Sequence, residues 1–232
     1  MRIVLISFNN HPFGMQLLKR CSEENIEITA VIFEGEEERK KDLEILKERS
    51  PSIIPIRIQD LETNAEINTV KKLNSEESLN FLKDLKPDLL LQGGGPIIKK
   101  EVLEIPTIGM INCHPGILPN YRGCSAVEWA LFNDEPVGCT CHFMDHGIDT
   151  GPIILSKIFP IQRGDTYSDI RTRMFFFQVE TLIEGIKAIQ NGVRLETAQV
   201  QGEGTYRELV DQKTIDMITE KLKQESYKCY AR

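Results

Sequence analysis

The chain has 232 residues, of which 41% are hydrophobic and 27% are charged, a composition that excludes a disordered protein. Its formal net charge of -7 disfavours a nucleic-acid partner, because affinity for a polyanion comes largely from neutralising phosphates. The six cysteines form no Cys-x-x-Cys pair, so we expect no metal site. Scattered cysteines and no signal-peptide pattern indicate a reducing cytoplasm, so we expect a cytoplasmic protein. The N-terminal apolar run 1–8 is too short to span a membrane, and we expect no membrane association.

The first half of the chain alternates strand and helix patterns. Near-continuous apolar runs predict buried strands, and helical spacing of apolar residues, or a capping serine, predicts helices. Such alternation indicates an α/β protein with a doubly wound, mostly parallel, twisted sheet of the Rossmann-like kind. We predict strands at 2–8, 26–33, 53–58, 88–92 and 107–114, and helices at 13–24, 34–50 and 75–85.

The second half has a different pattern. A helix at 125–133 is followed by two strands, at 137–144 and 152–160, on either side of a loop at 145–151. One long helix at 166–190 and a last helix at 213–225 complete the prediction. We therefore expect a domain at 1–190 and a C-terminal tail at 191–232 that contains a helix.

Two glycine-containing turns follow predicted strands and are candidates for ligand binding. The turn after the first predicted strand, Ser7–Gly14, has one glycine where a dinucleotide-binding domain needs G-x-G-x-x-G, so NAD binding is disfavoured. Gly93–Gly95 follows a predicted strand but lacks the Gly-Lys-Ser/Thr ending of a phosphate loop. It is either a tight turn or a place where the backbone approaches a ligand closely.

Asn112 and His114 end the predicted strand at 107–114. Residues two apart share a face of a strand, and Pro115 ends the strand there, so both side chains should lie at the carboxyl edge of the sheet, where α/β proteins bind ligands. In the alternative interpretation both residues are only structural: Asn112 caps a turn and His114 fills a half-buried gap. Asp149, in the loop before the last predicted strand, can fold back over this edge and orient the imidazole.

An amide, an imidazole and a carboxylate together suit acyl transfer to an amine. The amide donates to the oxyanion of a tetrahedral intermediate, and the imidazole handles protons or stabilises that oxyanion as imidazolium. The carboxylate holds the imidazole and passes a proton on. Cys113 should face the opposite way from its neighbours, so we do not expect it to act as a nucleophile. His142 faces this site or has a core or strand-surface role.

The stretch NCHPGILPNYRG at 112–123, followed by GCTCHFMDHGIDTGPIIL at 138–155, resembles the formyltransferases that use 10-formyltetrahydrofolate. That family includes glycinamide ribonucleotide formyltransferase, methionyl-tRNA formyltransferase and the sugar-nucleotide N-formyltransferases. The resemblance implies that Asn112, His114 and Asp149 are catalytic and that 10-formyltetrahydrofolate is the cosubstrate. It also implies a folate slot formed by Gly94, Gly95, Pro96, Ile97, Ile98, Met144, Asp145, Gly147 and Ile148.

The acceptor is inferred from departures within the family. Glycinamide ribonucleotide formyltransferase has a Gly-Ser-Asn-type turn that holds the substrate phosphate, and this chain has the turn Asn9–Pro12 in its place. Methionyl-tRNA formyltransferase has a C-terminal barrel domain that binds tRNA, whereas only about forty residues follow the long helix here. We therefore expect a small-molecule amine acceptor, a nucleotide-linked amino sugar, and no nucleic acid. The alternatives are the purine-pathway enzyme and a non-catalytic folate-binding homologue. The expected substrate-binding residues are His11, Gly116, Tyr121 and Arg122.

Several of these residues have two interpretations. Arg122 either pairs with a diphosphate or ties down its own loop. One of the aromatic residues Tyr121, Trp129 and Tyr206 stacks on a nucleobase, although Trp129 also fits the core. His11 contacts a ligand or is an ordinary turn residue. The apolar run Met174–Phe177 fits a buried helix face or the interface of a homodimer, since related enzymes often dimerise.

Overall fold

The computed structural model describes residues 1–192, 198–199 and 204–231. Its strands and helices follow the expected alternation. In chain order they are β1 (Ile3–Phe8), α1 (Pro12–Glu23), β2 (Ala30–Glu34), α2 (Lys40–Arg49), a 3-10 turn (Ile58–Asp60), β3 (Glu66–Val70), α3 (Glu76–Leu85), β4 (Leu89–Gln92), α4 (Lys100–Leu103), β5 (Gly109–His114), β6 (Tyr121–Gly123), α5 (Ala126–Phe132), β7 (Gly138–Phe143), β8 (Ile153–Ile158), α6 (Tyr167–Gln190), β9 (Thr205–Arg207) and α7 (Gln212–Lys223).

The predicted α/β fold is confirmed. A seven-stranded sheet has the order β3-β2-β1-β4-β5-β7-β8. The pairings from β3 to β5 are parallel, and β7 pairs with β8 in the antiparallel sense. Strand order reverses direction between β1 and β4, which is where open α/β sheets leave a crevice beyond the strand ends.

The chain divides into two compact units, and the first contains residues Met1–Glu48, Ile53–Asn112 and Phe143–His146. Its core consists of the central strands, whose side chains are buried on both faces, as the apolar runs predict. Ser75 caps α3 by accepting a hydrogen bond from the backbone N–H of Ser78. Burial of these strands fixes the carboxyl ends of β1, β4 and β5 at one edge of the sheet.

One strand prediction in this unit is wrong. The segment 53–58 is not a strand: Ile54 is 85% exposed and Pro55 lacks the N–H that a sheet ladder needs. The strand that pairs with β2 is β3 instead, at the sheet edge, where Ile67 is 41% exposed. An edge strand buries few side chains, so the sequence Glu-Ile-Asn-Thr-Val has no clear apolar pattern. In addition, β2 and α2 begin later than predicted, at Ala30 and Lys40.

The second unit contains residues Arg49–Ser52, Cys113–His142 and Gly147–Arg232. The long helix α6 begins with a capping box between Thr166 and Asp169. Glu128 of α5 is fully buried, and it accepts a hydrogen bond from the Tyr167 hydroxyl at 2.6 Å and faces Arg171 at 3.6 Å. This ion pair joins α5 to the start of α6.

The C-terminal helix α7 packs on α5 within the same unit. The ammonium group of Lys221 donates to the backbone carbonyls of Leu131 and Phe132 and pairs with Asp134 at 3.0 Å. These carbonyls end α5, where a cation is favoured by the helix dipole. The short strands β6 and β9, which the sequence did not predict, pair in parallel beside this helix pair. No described helix is long and apolar enough to cross a membrane.

Candidate active site

The end of β5 presents the two polar residues that the sequence pattern singled out. Asn112 and His114 are two residues apart on this strand and share one face. Asn112 is half-buried, and its side chain has no hydrogen-bond partner among the described residues, so its amide is available to a ligand. His114 is 5% exposed.

Both ring nitrogens of His114 have neighbours in the second unit. Nε2 lies 2.7 Å from the backbone carbonyl oxygen of Tyr121. A carbonyl only accepts hydrogen bonds, so Nε2 carries a proton and donates it. Nδ1 therefore faces the carboxylate of Asp149, whose Oδ2 is 3.4 Å away. A proton taken from a substrate can be held between Nδ1 and this oxygen.

Gly116 makes this geometry possible. A Cβ at position 116 would lie 2.6 Å from the Tyr121 carbonyl oxygen and 2.8 Å from Nε2 of His114. A side chain there would push apart the two partners of the histidine hydrogen bond. The structure thus gives Gly116 a spatial reason to be glycine, while its predicted substrate contact stays a prediction.

Asp149 is held from several sides. Its φ of 55° lies in the left-handed region, which non-glycine residues adopt where surrounding contacts enforce it. The backbone N–H of Gly123 donates to Oδ2 at 2.8 Å, and Nε2 of His142 lies 3.7 Å from Oδ1. His142, buried at the end of β7, therefore faces the carboxylate rather than only filling the core. Asp149 is the shared neighbour of two histidines.

Gln199 also holds the Asp149 loop. Its side-chain Nε2 donates to the backbone carbonyls of Asp149, at 3.1 Å, and Gly151, at 2.7 Å. These bonds span about fifty positions of the chain, and no local motif indicates them. The sequence analysis missed Gln199 for that reason.

We expect Gln199→Ala to lower kcat about three- to tenfold, because the backbone carbonyls of Asp149 and Gly151 each lose a hydrogen bond worth roughly 1 kcal/mol. Steady-state kinetics on the purified variant measure this, with thermal unfolding recorded in parallel. Gln224→Ala is the matched control, since the side chain of Gln224, at the end of α7, donates among the described residues only to the Glu220 carboxylate one turn earlier. An unchanged kcat in Gln199→Ala would show that the loop keeps its geometry without these bonds.

The charge state of His114 follows from its burial. Removal from solvent lowers the pKa of His114 below the ordinary 6.5, against the opposing effects of Asp149 and the Tyr121 carbonyl. The imidazole is therefore neutral near pH 7, with the Nδ1 lone pair open to a proton. This favours a proton-accepting role over a preformed imidazolium.

We expect kcat/KM to rise with pH through a limb that lies below pH 6.5 and to be flat above about pH 7. Since the folded protein binds this proton less tightly than the unfolded chain, the free energy of unfolding should also fall as the pH drops below 6.5. Kinetics and urea unfolding across this range test both statements. A kcat/KM that declines from pH 6 to pH 8 would indicate an imidazolium instead.

Most of the predicted folate-binding residues lie in the first unit. Ile98 is buried in a core cluster against which Met144 packs, so the segments 94–98 and 144–145 meet in this unit. Ile97 is 86% exposed. The Oε1 atom of Gln92 is buried without a partner among the described residues, next to Gly95. Gly147 and Ile148 belong to the second unit, where Ile148 is 57% exposed.

His11 lies against the glycine turn of the first unit. Gly94 has a φ of +80°, and a Cβ there would lie 2.1 Å from Nδ1 of His11. That nitrogen has no hydrogen-bond partner among the described residues, and burial lowers the pKa of His11. The neighbouring Asn10 accepts a hydrogen bond from the backbone N–H of Ile58. The substrate contact predicted for His11 stays a prediction.

The predicted aromatic contacts need correction. Tyr121 is 3% exposed and its hydroxyl donates to Glu135 at 2.6 Å, so its ring cannot stack on a nucleobase. The indole N–H of the half-buried Trp129 donates to the backbone carbonyl of Glu208 at 2.8 Å. The ring of Tyr206, by contrast, is 52% exposed. The guanidinium of Arg122 donates to the Gly204 carbonyl at 3.2 Å. Arg122 therefore ties down its own loop, which is one of the two interpretations that its sequence position allows.

Comparison with known proteins identifies relatives of the chain. A family model described as formyl transferase matches residues 1–186. A methionyl-tRNA formyltransferase of Caldanaerobacter subterraneus is 29% identical over 213 residues, which cover 90% of this chain and 66% of that protein. The chain thus spans about two thirds of the length of this curated relative.

Solved structures share the fold. A sugar N-formyltransferase from a Shewanella species has a TM-score of 0.62 at 19% identity, covering 96% of this chain and 88% of that chain. A formyltransferase from Anoxybacillus kamchatkensis, solved with UDP-4,6-dideoxy-4-formamido-L-AltNAc and tetrahydrofolate, has a TM-score of 0.55 at 20% identity, covering 92% and 88%. Because the curated relative bears the name of a tRNA-modifying enzyme, the expectation that no nucleic acid is involved is not supported.

Proposed function

This chain belongs to the formyl transferase family, and on that premise we propose that it transfers a formyl group from 10-formyltetrahydrofolate to the primary amine of a nucleotide-linked amino sugar. The observation that carries the proposal is the buried pair of His114 and Asp149, with Asn112 two residues away on the same strand. An amide donor, a neutral imidazole and a carboxylate are the groups that acyl transfer to an amine requires.

The proposed chemistry assigns one role to each residue. The donor supplies the formyl carbon, and the amine forms a bond to it while the carbonyl electron pair moves to oxygen. The Asn112 amide donates to that oxygen. Nδ1 of His114, with Asp149, accepts the proton that the amine loses and returns it to the folate nitrogen as its bond to the formyl carbon breaks.

No covalent enzyme intermediate is needed. Cys113, between the two polar residues of β5, is 1% exposed, and burial raises the pKa of its thiol well above the ordinary value. A buried, protonated thiol is a poor nucleophile. Direct attack by the acceptor amine is therefore the favoured route.

The first unit fits the folate ring of the donor. The apolar side chains of Ile98 and Met144 adjoin the glycine turn, and the unpartnered Oε1 of Gln92 can accept a hydrogen bond from a ring N–H. Flat heteroaromatic ligands favour sites with apolar walls and a few polar groups placed for the ring edge. These residues would hold the donor.

Two observations support an amino-sugar nucleotide as the acceptor. The net charge of -7 opposes a polyanion such as tRNA. The fold shared with the Shewanella sugar N-formyltransferase extends over 96% of this chain, so it includes the segment after α6. The amine of methionyl-tRNA is the second candidate, because a curated relative that matches 90% of this chain is named methionyl-tRNA formyltransferase.

An acceptor panel tests the proposal. The protein is mixed with 10-formyltetrahydrofolate and, separately, with nucleotide-linked amino sugars, glycinamide ribonucleotide and methionyl-tRNA, and mass spectrometry detects a gained formyl group. We expect a formylated amino sugar. Formylated methionyl-tRNA would select the second candidate, and formylated glycinamide ribonucleotide would show that the Asn9–Pro12 turn accepts a phosphate. No product with any amine would contradict the proposed transfer.

A further inference from the structure

We infer that Tyr206, on the short strand β9, binds the ring of the acceptor that carries the reacting amine. The inference rests on the proposed function and adds a specificity-determining residue to it. Tyr206 lies beyond residues 1–186, the part of the chain that the family model matches. It replaces the expectation that this tyrosine stacks on a nucleobase.

The position of the Tyr206 ring is fixed by Gly123. A Cβ at position 123 would lie 2.6 Å from Cε2 of Tyr206, so the ring rests directly on the glycine backbone. The N–H of the same glycine donates to Oδ2 of Asp149 at 2.8 Å. One residue therefore separates the aromatic ring from the carboxylate that we assign to the reaction.

The segment that carries Tyr206 is anchored before any ligand arrives. β9 pairs with β6, placing Tyr206 opposite Arg122, and the N–H of Cys124 donates to the Arg207 carbonyl at 2.8 Å. The backbone N–H of Val210 donates to the Ser125 hydroxyl at 3.3 Å. A half-exposed aromatic ring on an ordered backbone binds a ligand with little loss of conformational entropy.

The contacts that Tyr206 and Asp149 both make with Gly123 decide which part of the acceptor meets the ring. The amine must come within hydrogen-bond reach of His114 and Asp149 to lose its proton. In a nucleotide-linked amino sugar the pyranose ring bears the amine, whereas a diphosphate and a ribose separate that ring from the base. The Tyr206 ring, next to Gly123, is therefore within reach of the sugar and not of the base.

The chemistry of Tyr206 suits a sugar. Its exposed face can pack on the C–H groups of a pyranose, and its hydroxyl can bond a sugar hydroxyl. The neighbouring Cys124 thiol raises the pKa of Tyr206, with a smaller contribution from Asp149, so the hydroxyl stays protonated at neutral pH. The exposed Ile148, next to Asp149 in sequence, offers a further apolar contact.

The test compares Tyr206→Ala and Tyr206→Phe with Leu209→Ala, a matched control whose side chain is 68% exposed in the same segment. KM for the amino-sugar acceptor, KM for 10-formyltetrahydrofolate and inhibition by the free nucleoside diphosphate are measured. We expect Tyr206→Ala to raise the acceptor KM about tenfold. The donor KM and the inhibition constant should stay unchanged. Leu209→Ala should remain within about twofold of the wild type, and Tyr206→Phe, which keeps the ring and loses the hydroxyl, should raise the acceptor KM less than Tyr206→Ala does, about threefold.

The outcomes separate this inference from the proposed function. An unchanged acceptor KM in Tyr206→Ala, or an equal weakening of inhibition by the nucleoside diphosphate, overturns the contact with the amine-bearing ring. If Tyr206→Ala does not fold, as shown by thermal unfolding, Tyr206→Leu takes its place with the same expectation. A wild-type protein that formylates no amino sugar contradicts the proposed function, and the inference falls with it.

Discussion

Asp149→Asn is expected to lower kcat by about a hundredfold or more, the usual scale for a positioned acid-base group. The amide keeps the size of the carboxylate and retains an oxygen that can accept from the Gly123 N–H. It cannot take up a proton at neutral pH, and it removes the negative charge that faces Nδ1 of His114. Proton transfer from the amine then loses its acceptor while the loop keeps its main hydrogen bond.

The measurement is steady-state turnover with saturating donor and acceptor, with thermal unfolding as a check of the fold. Asp216→Asn serves as the control, because its carboxylate accepts a hydrogen bond from Gln212 on the exposed face of α7. Turnover in Asp149→Asn within threefold of the wild type would remove Asp149 from the mechanism. His114 and His142 would then face a carboxylate that has no role in the reaction.

Asn112→Ala is expected to raise the reaction barrier by on the order of 3 kcal/mol, about a hundredfold in kcat, with a small change in KM. The amide of Asn112 has no partner among the described residues, so its loss disturbs no protein hydrogen bond. What is lost is a donor to an oxygen that becomes negative in the transition state. Such an interaction affects kcat more than binding of the ground state.

Kinetics on Asn112→Ala and on the control Asn120→Ala, an exposed asparagine after the same strand, measure this effect. Addition of an Asn112→Asp variant sharpens the assignment, since a carboxylate would repel the developing oxyanion and should be at least as damaging. An Asn112→Ala variant with normal kcat would mean that another group stabilises the oxyanion.

The parts of the site that lie on single elements were predictable from the sequence. Alternation along β5 put Asn112 and His114 on one face, and a buried run ending in Pro-Gly placed them at the sheet edge. The position of Asp149 beside His114 was predicted from the loop before β8, which can fold back over this edge of the sheet. These predictions need only local periodicity and one loop that folds back.

Contacts between distant segments were not predictable. The bonds from Gln199 to the Asp149 loop, and the position of Tyr206 on Gly123, join residues about fifty to eighty positions apart without a shared motif. β3 was misplaced for a related reason: an edge strand takes its pairing from β2 and buries too little to show an apolar pattern. Long-range pairing decided both cases.

The central claim, formyl transfer to an amino sugar through the His114–Asp149 pair, is tested most directly by isotope transfer. 10-Formyltetrahydrofolate labelled with carbon-13 in the formyl group is incubated with a nucleotide-linked amino sugar and either the wild type or Asp149→Asn. The account predicts that the wild type forms labelled formamido sugar at an initial rate about a hundredfold above that of the variant. Labelled formate without labelled sugar, or equal initial rates with both proteins, would contradict it.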